Sequence, residues 1–261
     1  MPVTRRSSMI ALVGLIGAGC GGGGGDDDDA SLAGSLQTRS IVSRTTGTTY
    51  PLFIYVPPDS KAMRATLPVI YVLDGESRFW PVVDVAARAQ TQAIVVGIGN
   101  EALRNNDYVP PNLCTVGGGG QALFLETIRS DVIPFVEANF GGDPSRRVLL
   151  GHSHGGSFVL YALFNERPAD RLFSAYLTSD ASLACTEASV YSWESAYAAA
   201  NTTLPVRLHV AHASNVGNIP FAAKVKSRNY GGLTMLSQFY EGGHLGMIPL
   251  AFAEALAFAL A

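Results

Sequence analysis

Charge is in short supply in this chain. Asp, Glu, Lys and Arg make up 15% of 261 residues, against 48% that are hydrophobic. A sequence that poor in charge and that rich in apolar side chains is globular rather than disordered over most of its length. The 18 basic residues do not outnumber the 21 acidic ones and gather into no stripe, which excludes nucleic acid as a partner. Residues 9–16 form an apolar stretch too short to span a bilayer as a helix. Cysteine is nearly absent, with Cys20, Cys114 and Cys185 only, so each can be accounted for singly. No internal repeat is evident, which excludes a stacked-repeat array. What is present is enough chain for one domain of about 220 residues with a large core, after an N-terminal extension.

That extension reads as a targeting segment. Arg5 and Arg6 supply a positive start, residues 9–16 an apolar centre, and Gly17, Ala18 and Gly19 the small residues before Cys20. The pattern resembles a bacterial lipoprotein signal, with Gly17 where such signals usually carry leucine. The resemblance implies a signal peptide over 1–19, lipidation of Cys20 and attachment to the cell envelope on its periplasmic or outer-membrane side. A plain secretory signal releasing a secreted protein is the alternative. Residues 20–38, with five glycines followed by four aspartates, are expected to be a flexible tether, and 39–261 the folded domain. Outside the cytoplasm, Cys114 and Cys185 form an even pair, for which a disulfide is one reading and two buried thiols the other.

Within the folded domain, apolar runs alternate with helical stretches. Strands are predicted over 40–44, 48–56, 67–73, 93–98, 146–150, 173–178, 205–211 and 235–240. Helices are predicted over 79–90, 121–140 with an interruption at Pro134, 157–164, 193–200, 219–230 and 250–261. Residues 101–120 read as a long polar loop, of the kind that often serves function. The alternation predicts an α/β fold: a mostly parallel central sheet with helices on both faces and antiparallel strands at its N-terminal side. In such a sheet the segments after the strands share one rim. Asp74-Gly75-Glu76, Gly99-Asn100, Ser153, Ser179-Asp180, the residues after Ala211, and His244 are therefore expected to converge.

The organising stretch is Arg147-Val148-Leu149-Leu150-Gly151-His152-Ser153-His154-Gly155-Gly156, leading into an apolar helix. Strand, then G-x-S-x-G, then helix is the pattern of a nucleophile elbow, in which the serine hydroxyl stands out at the top of a sheet. Small residues are needed because the serine backbone is strained and the helix packs closely beneath it. The alternative is an ordinary glycine-bearing turn with a serine cap.

From residue 50 onward the chain resembles the putative-esterase branch of the α/β-hydrolases, that of enterochelin-type and related serine esterases. The segments that carry the likeness are Val69-Ile70-Tyr71-Val72-Leu73-Asp74-Gly75, Arg104-Asn105-Asn106-Asp107-Tyr108-Val109-Pro110, Ile133-Pro134-Phe135-Val136-Glu137, the elbow, and Gly242-Gly243-His244. The resemblance implies the α/β-hydrolase fold and ester hydrolysis through an acyl-enzyme, without metal or organic cofactor. Chemistry asks for the same parts. An unactivated serine hydroxyl is a poor nucleophile, so a base must take its proton, and His244 is the candidate. The oxyanion needs two backbone N–H donors: the amide of His154, and that of Glu76 or Gly75.

The third member of a triad is harder to place. The family often puts an acid after the strand matching 205–211, but residues 212–218 contain none. Three readings stand: Asp180 has taken the role from the preceding strand, Asn215 orients the imidazole without charge, or Ser153 and His244 work as a pair. His152 with His154, and His209 with His212, are candidate metal ligands, against which no carboxylate is adjacent. The leading expectation is a serine esterase acting on a small-molecule or polymer-borne ester. An acyltransferase on the same fold, or a non-catalytic surface binding protein that lost its acid, are the alternatives.

Overall fold

A computed structural model describes residues 33–58, 62–113 and 117–261. The expected signal peptide, Cys20, Cys114 and most of the expected tether lie outside the described residues. A hairpin of β1 (Ser35–Val42) and β2 (Thr49–Val56) comes first, followed by β3 (Val69–Leu73), α1 (Gly75–Arg88), β4 (Ile94–Ile98) and α2 (Arg104–Tyr108). Next come α3 (Gln121–Thr127), α4 (Ile133–Phe140), β5 (Arg147–His152), α5 (His154–Asn165), β6 (Ala175–Ser179) and α6 (Leu183–Ala200). The chain ends with β7 (Arg207–His212), α7 (Asn218–Ser227), β8 (Thr234–Phe239), α8 (Gly243–Gly246) and α9 (Ile248–Leu260).

The strands form one sheet in the order β1-β2-β4-β3-β5-β6-β7-β8. β1 with β2 and β2 with β4 are antiparallel, and every other neighbouring pair is parallel. Alternation along each strand sorts side chains between two cores. Val69, Tyr71 and Leu73 of β3 join the core under α3 to α7, whereas Ile70 and Val72 join that under α1 and α9. Both faces of the central strands are thus covered, which is why β3, β4 and β6 are buried at every position and β3 and β4 read as unbroken apolar runs.

The structure departs from the sequence reading at element ends. β1 begins at Ser35, inside the range read as tether, and its first residues are mostly exposed, so no apolar alternation announces it. α1 begins at Gly75 rather than residue 79. Asp74 sits in the left-handed region (φ 54°, ψ 50°), and its carbonyl accepts the Ser77 and Arg78 amides at 3.0 and 2.9 Å. The Asp-Gly pair that reads as a turn therefore launches a helix. The stretch predicted as one interrupted helix over 121–140 is α3, a wide π turn over Ile128–Val132, and α4. Pro134 has no N–H for the Ser130 carbonyl, and the Arg44 guanidinium donates to it instead. α6 is far longer than the predicted 193–200, because over residues 183–192 its buried face is only Leu183, Thr186 and Val190, too interrupted to read as an apolar stripe. Residues 101–120 contain α2, whose Asp107 and Tyr108 are buried.

Candidate active site

Ser153 occupies the turn between β5 and α5 with φ 60° and ψ −121°, a conformation that costs a non-glycine residue energy. Packing enforces it. The Ser153 amide donates to the Ser179 carbonyl at 2.9 Å, and its own carbonyl accepts the Ser157 and Ser182 amides, both at 3.1 Å. A Cβ on Gly151 would fall inside the Gly155 carbonyl, so the strand and the helix beneath the turn can approach only with glycine there.

One strand over, Asp180 follows β6. It is wholly buried and also left-handed, at φ 44°. Its Oδ1 accepts three successive backbone amides, those of Ala213, Ser214 and Asn215, at 2.9, 3.1 and 3.0 Å. Its Oδ2 accepts Asn215 Nδ2 at 3.0 Å and His244 Nδ1 at 2.6 Å. Burial pushes this carboxyl up, but the bonds from His244, the Ala213 and Asn215 amides and the Asn215 side chain outweigh it and hold it below the ordinary aspartate range. Asn215 thus grips Asp180, through Oδ2 and the main-chain carbonyl, and does not touch the imidazole. The acid-free segment after β7 contributes main-chain donors in place of a carboxylate.

His244 lies in α8, after β8. Its ring packs against that of His152, the residue before Ser153, with centroids 4.4 Å apart. The imidazole therefore stands beside the elbow with one nitrogen on Asp180. The Ser153 hydroxyl itself is hydrogen-bonded to Ser182 Oγ at 3.0 Å rather than to His244. Serine–histidine bonds of this type are often long in unliganded sites and tighten around substrate. His152 is buried, with Nδ1 3.1 Å from Ser179 Oγ; burial, then His244 and Arg78, push its pKa down to about 3, so it stays neutral. His154 is lowered too, by burial first and then by Arg104 and His244. His209 and His212 are not drawn into this cluster, and His209 is bonded to Tyr240 at 3.2 Å.

The remaining side of the site is the turn after β3. The amides of His154, Gly75 and Glu76 belong to the first turns of α5 and α1, where an α-helix leaves N–H groups without partners of its own. β3 and β5 are hydrogen-bonded neighbours, so the two turns meet, and a Cβ on Gly155 would lie 3.3 Å from Asp74 Oδ2. A Cβ on Gly75 would lie 2.7 Å from the Gly97 carbonyl carbon, which fixes glycine there as well. Asp74 is pinned from α2: Arg104 donates Nε and Nη2 to its two oxygens at 3.0 and 3.2 Å, and its amide donates to Tyr108 Oη at 3.1 Å. Tyr108 donates onward to Asn100, and Asn100 and Tyr50 donate to Asp107 at 3.3 and 3.1 Å. Burial nevertheless raises Asp74 above the usual carboxylate range, against the pull of Arg104. Arg78, on the first turns of α1, has a buried Nε with no partner.

The sequence reading named Arg104 and Asp107 only as marks of a resemblance, read Tyr108 also as a pocket or core residue near the rim, and missed Ser182 altogether. Ser182 could have been found as the hydroxyl two residues beyond the expected acid, on the same rim. On α6, Cys185 is disulfide-bonded.

A mixed sheet in this order, with a strained serine after β5, an acid after β6 and a histidine after β8, defines an α/β-hydrolase fold. The chain belongs to the Esterase family, described as "Putative esterase", whose match covers residues 43–211. It is thus an esterase-family enzyme. It is 26% identical over 270 residues to the ferri-bacillibactin esterase BesA of Bacillus subtilis, covering 86% of this chain and 89% of that one. It is 35% identical over 141 residues to the siderophore triacetylfusarinine C esterase of Aspergillus fumigatus, where the match spans 48% of this chain and 47% of the fungal enzyme. Among solved structures, an IroE-like serine hydrolase from Shewanella oneidensis shares the fold with a TM-score of 0.76 at 24% identity, over 85% of this chain and 79% of the other.

Proposed function

We propose that the protein hydrolyses carboxylic esters through an acyl-enzyme on Ser153. His244 takes the Ser153 proton as Oγ attacks the ester carbonyl, and returns it to the departing alcohol. Asp180 holds the imidazole with its second nitrogen toward the serine and stabilises the imidazolium that forms. The amides of His154 and of Gly75 or Glu76 receive the oxyanion. Water then repeats the sequence and frees the acid. The observation that carries this reading is the 2.6 Å bond from His244 to a carboxylate kept ionised by five donors, beside a serine held at φ 60°. With that carboxylate in reach of the ring, nothing favours a binding protein that has lost its acid.

For the substrate, we propose an ester-linked iron chelator, the class named for both relatives above. Arg78 supports an anionic ligand, since it lies on the first turns of α1, beside the proposed oxyanion donors, and has no partner for its buried Nε. An organofluorophosphonate should label Ser153 in the wild type and leave Ser153→Ala unlabelled, and siderophore esters should be cleaved with higher kcat/KM than simple acyl esters. Undiminished ester hydrolysis by Ser153→Ala would overturn the mechanism; equal rates on both ester classes would overturn the substrate assignment.

A further inference from the structure

Among the described residues the Ser153 hydroxyl has one side-chain partner, and it is another hydroxyl. Ser182 Oγ stands 3.0 Å from Ser153 Oγ, and the Ser182 amide donates to the Ser153 carbonyl at 3.1 Å. Ser182 occupies the position before α6 where a serine usually caps a helix, yet its side chain makes no cap bond. Its hydroxyl is spent on the nucleophile instead. On the reading that Ser153 forms an acyl-enzyme, we propose that Ser182 is a further catalytic residue, one that speeds release of the acyl group rather than its uptake.

The asymmetry follows from what Ser153 Oγ is at each stage. Once Ser153 has passed its proton to His244, Oγ can only accept, so Ser182 must be the donor. Before acylation the two hydroxyls are already bonded, and a bond present in both the ground state and the transition state does not lower the barrier between them. In the acyl-enzyme Oγ is an ester oxygen, a weak acceptor. During deacylation a water oxygen bonds to the acyl carbon and its proton goes to His244. The C–Oγ bond then breaks, its electron pair stays on Oγ, and His244 returns the proton there as the free acid leaves. Negative charge therefore grows on Oγ, and the Ser182 O–H strengthens its hold without transferring a proton. The gain appears only in the second half of the cycle.

p-Nitrophenyl acetate separates the halves. kcat/KM reports the steps through acylation, and loss of the acetyl mass from Ser153 after a chase, followed by quenched-flow intact-mass analysis, reports deacylation. Ser182→Ala is expected to slow deacylation by about 3–10-fold, the value of one neutral hydrogen bond, with kcat/KM changed by less than about twofold. Its melting temperature should hold, since among the described residues the lost side chain bonds only to Ser153 and caps nothing. Ser182→Thr, which keeps the hydroxyl, should deacylate like the wild type. A parallel fall in both rates, or no change in either, would overturn the role of Ser182 while leaving the acyl-enzyme intact. Absence of any acetyl adduct on Ser153 in the wild type would instead bring down the acyl-enzyme reading itself.

Discussion

At the scale of single residues, the site is held together by Asp180. A buried carboxylate survives ionised only when its lone pairs are met, and here every acceptor position has a donor. Asp180→Asn is the sharpest probe. Its Oδ1 can still accept the amides of 213–215, but its NH2 would face His244 Nδ1 and impose the wrong tautomer. kcat should fall by about 10³–10⁴, as for the same exchange in serine-protease triads, and melting temperature should fall too, because the same NH2 meets Asn215 Nδ2. Asn215→Ala, which removes one donor from Asp180 and none from the ring, should cost only about 3–10-fold in kcat. The nucleophile was legible in the sequence because its whole signature lies within a few consecutive residues. Asp180 was only one of three candidates, because its bond to His244 spans 64 residues and no local pattern encodes it. Ser182 was legible only by way of Asp180, as a hydroxyl two residues further along the same rim, and Arg78 was not legible, since a lone arginine near a strand end has no distinguishing neighbours.

At the scale of elements, the elbow depends on how closely α5 sits on β5. Gly151→Ala must push the Gly155 carbonyl aside. Overpacking of this kind costs about 1–3 kcal/mol, readable as a lower urea midpoint. Because the displaced turn carries both Ser153 and the His154 amide, kcat should fall by more than the loss of stability alone explains. The central strands were legible to within a few residues, since burial on both faces demands continuous apolar runs and Gly or Pro closes them. Helices were legible only where their inner face was apolar. The first half of α6 escaped because Thr186 interrupts its buried side between Leu183 and Val190, where it bonds Ser157 Oγ at 3.1 Å. The start of α1 escaped because a left-handed aspartate before glycine signals a turn in either case.

At the scale of the whole described domain, acid should loosen the structure through its buried histidines. Burial holds His209 down to about 4 from an ordinary 6.5, and His152 to about 3. Between those folded values and 6.5 the unfolded chain binds more protons than the folded one, so stability is full above about pH 6.5 and falls as pH drops toward 4. His209→Gln should flatten that slope, measured as the difference between urea midpoints at pH 7 and pH 5, without moving the pH dependence of turnover. The convergence of strand ends on one rim was legible from the alternation of strands and helices, and bonds between neighbouring strand ends bear it out: Ser179 to Ser153, Ala211 to Asp180, Asp180 to 213–215 and to His244. The grip on Asp180 Oδ1 has a last implication. It is made by peptide groups, which every residue but proline supplies alike, so the exposed side chain of Ser214 answers to no catalytic requirement. Evolution, or an engineer, can redecorate that lip of the cleft to suit a new ligand while the machinery behind it keeps running unaltered.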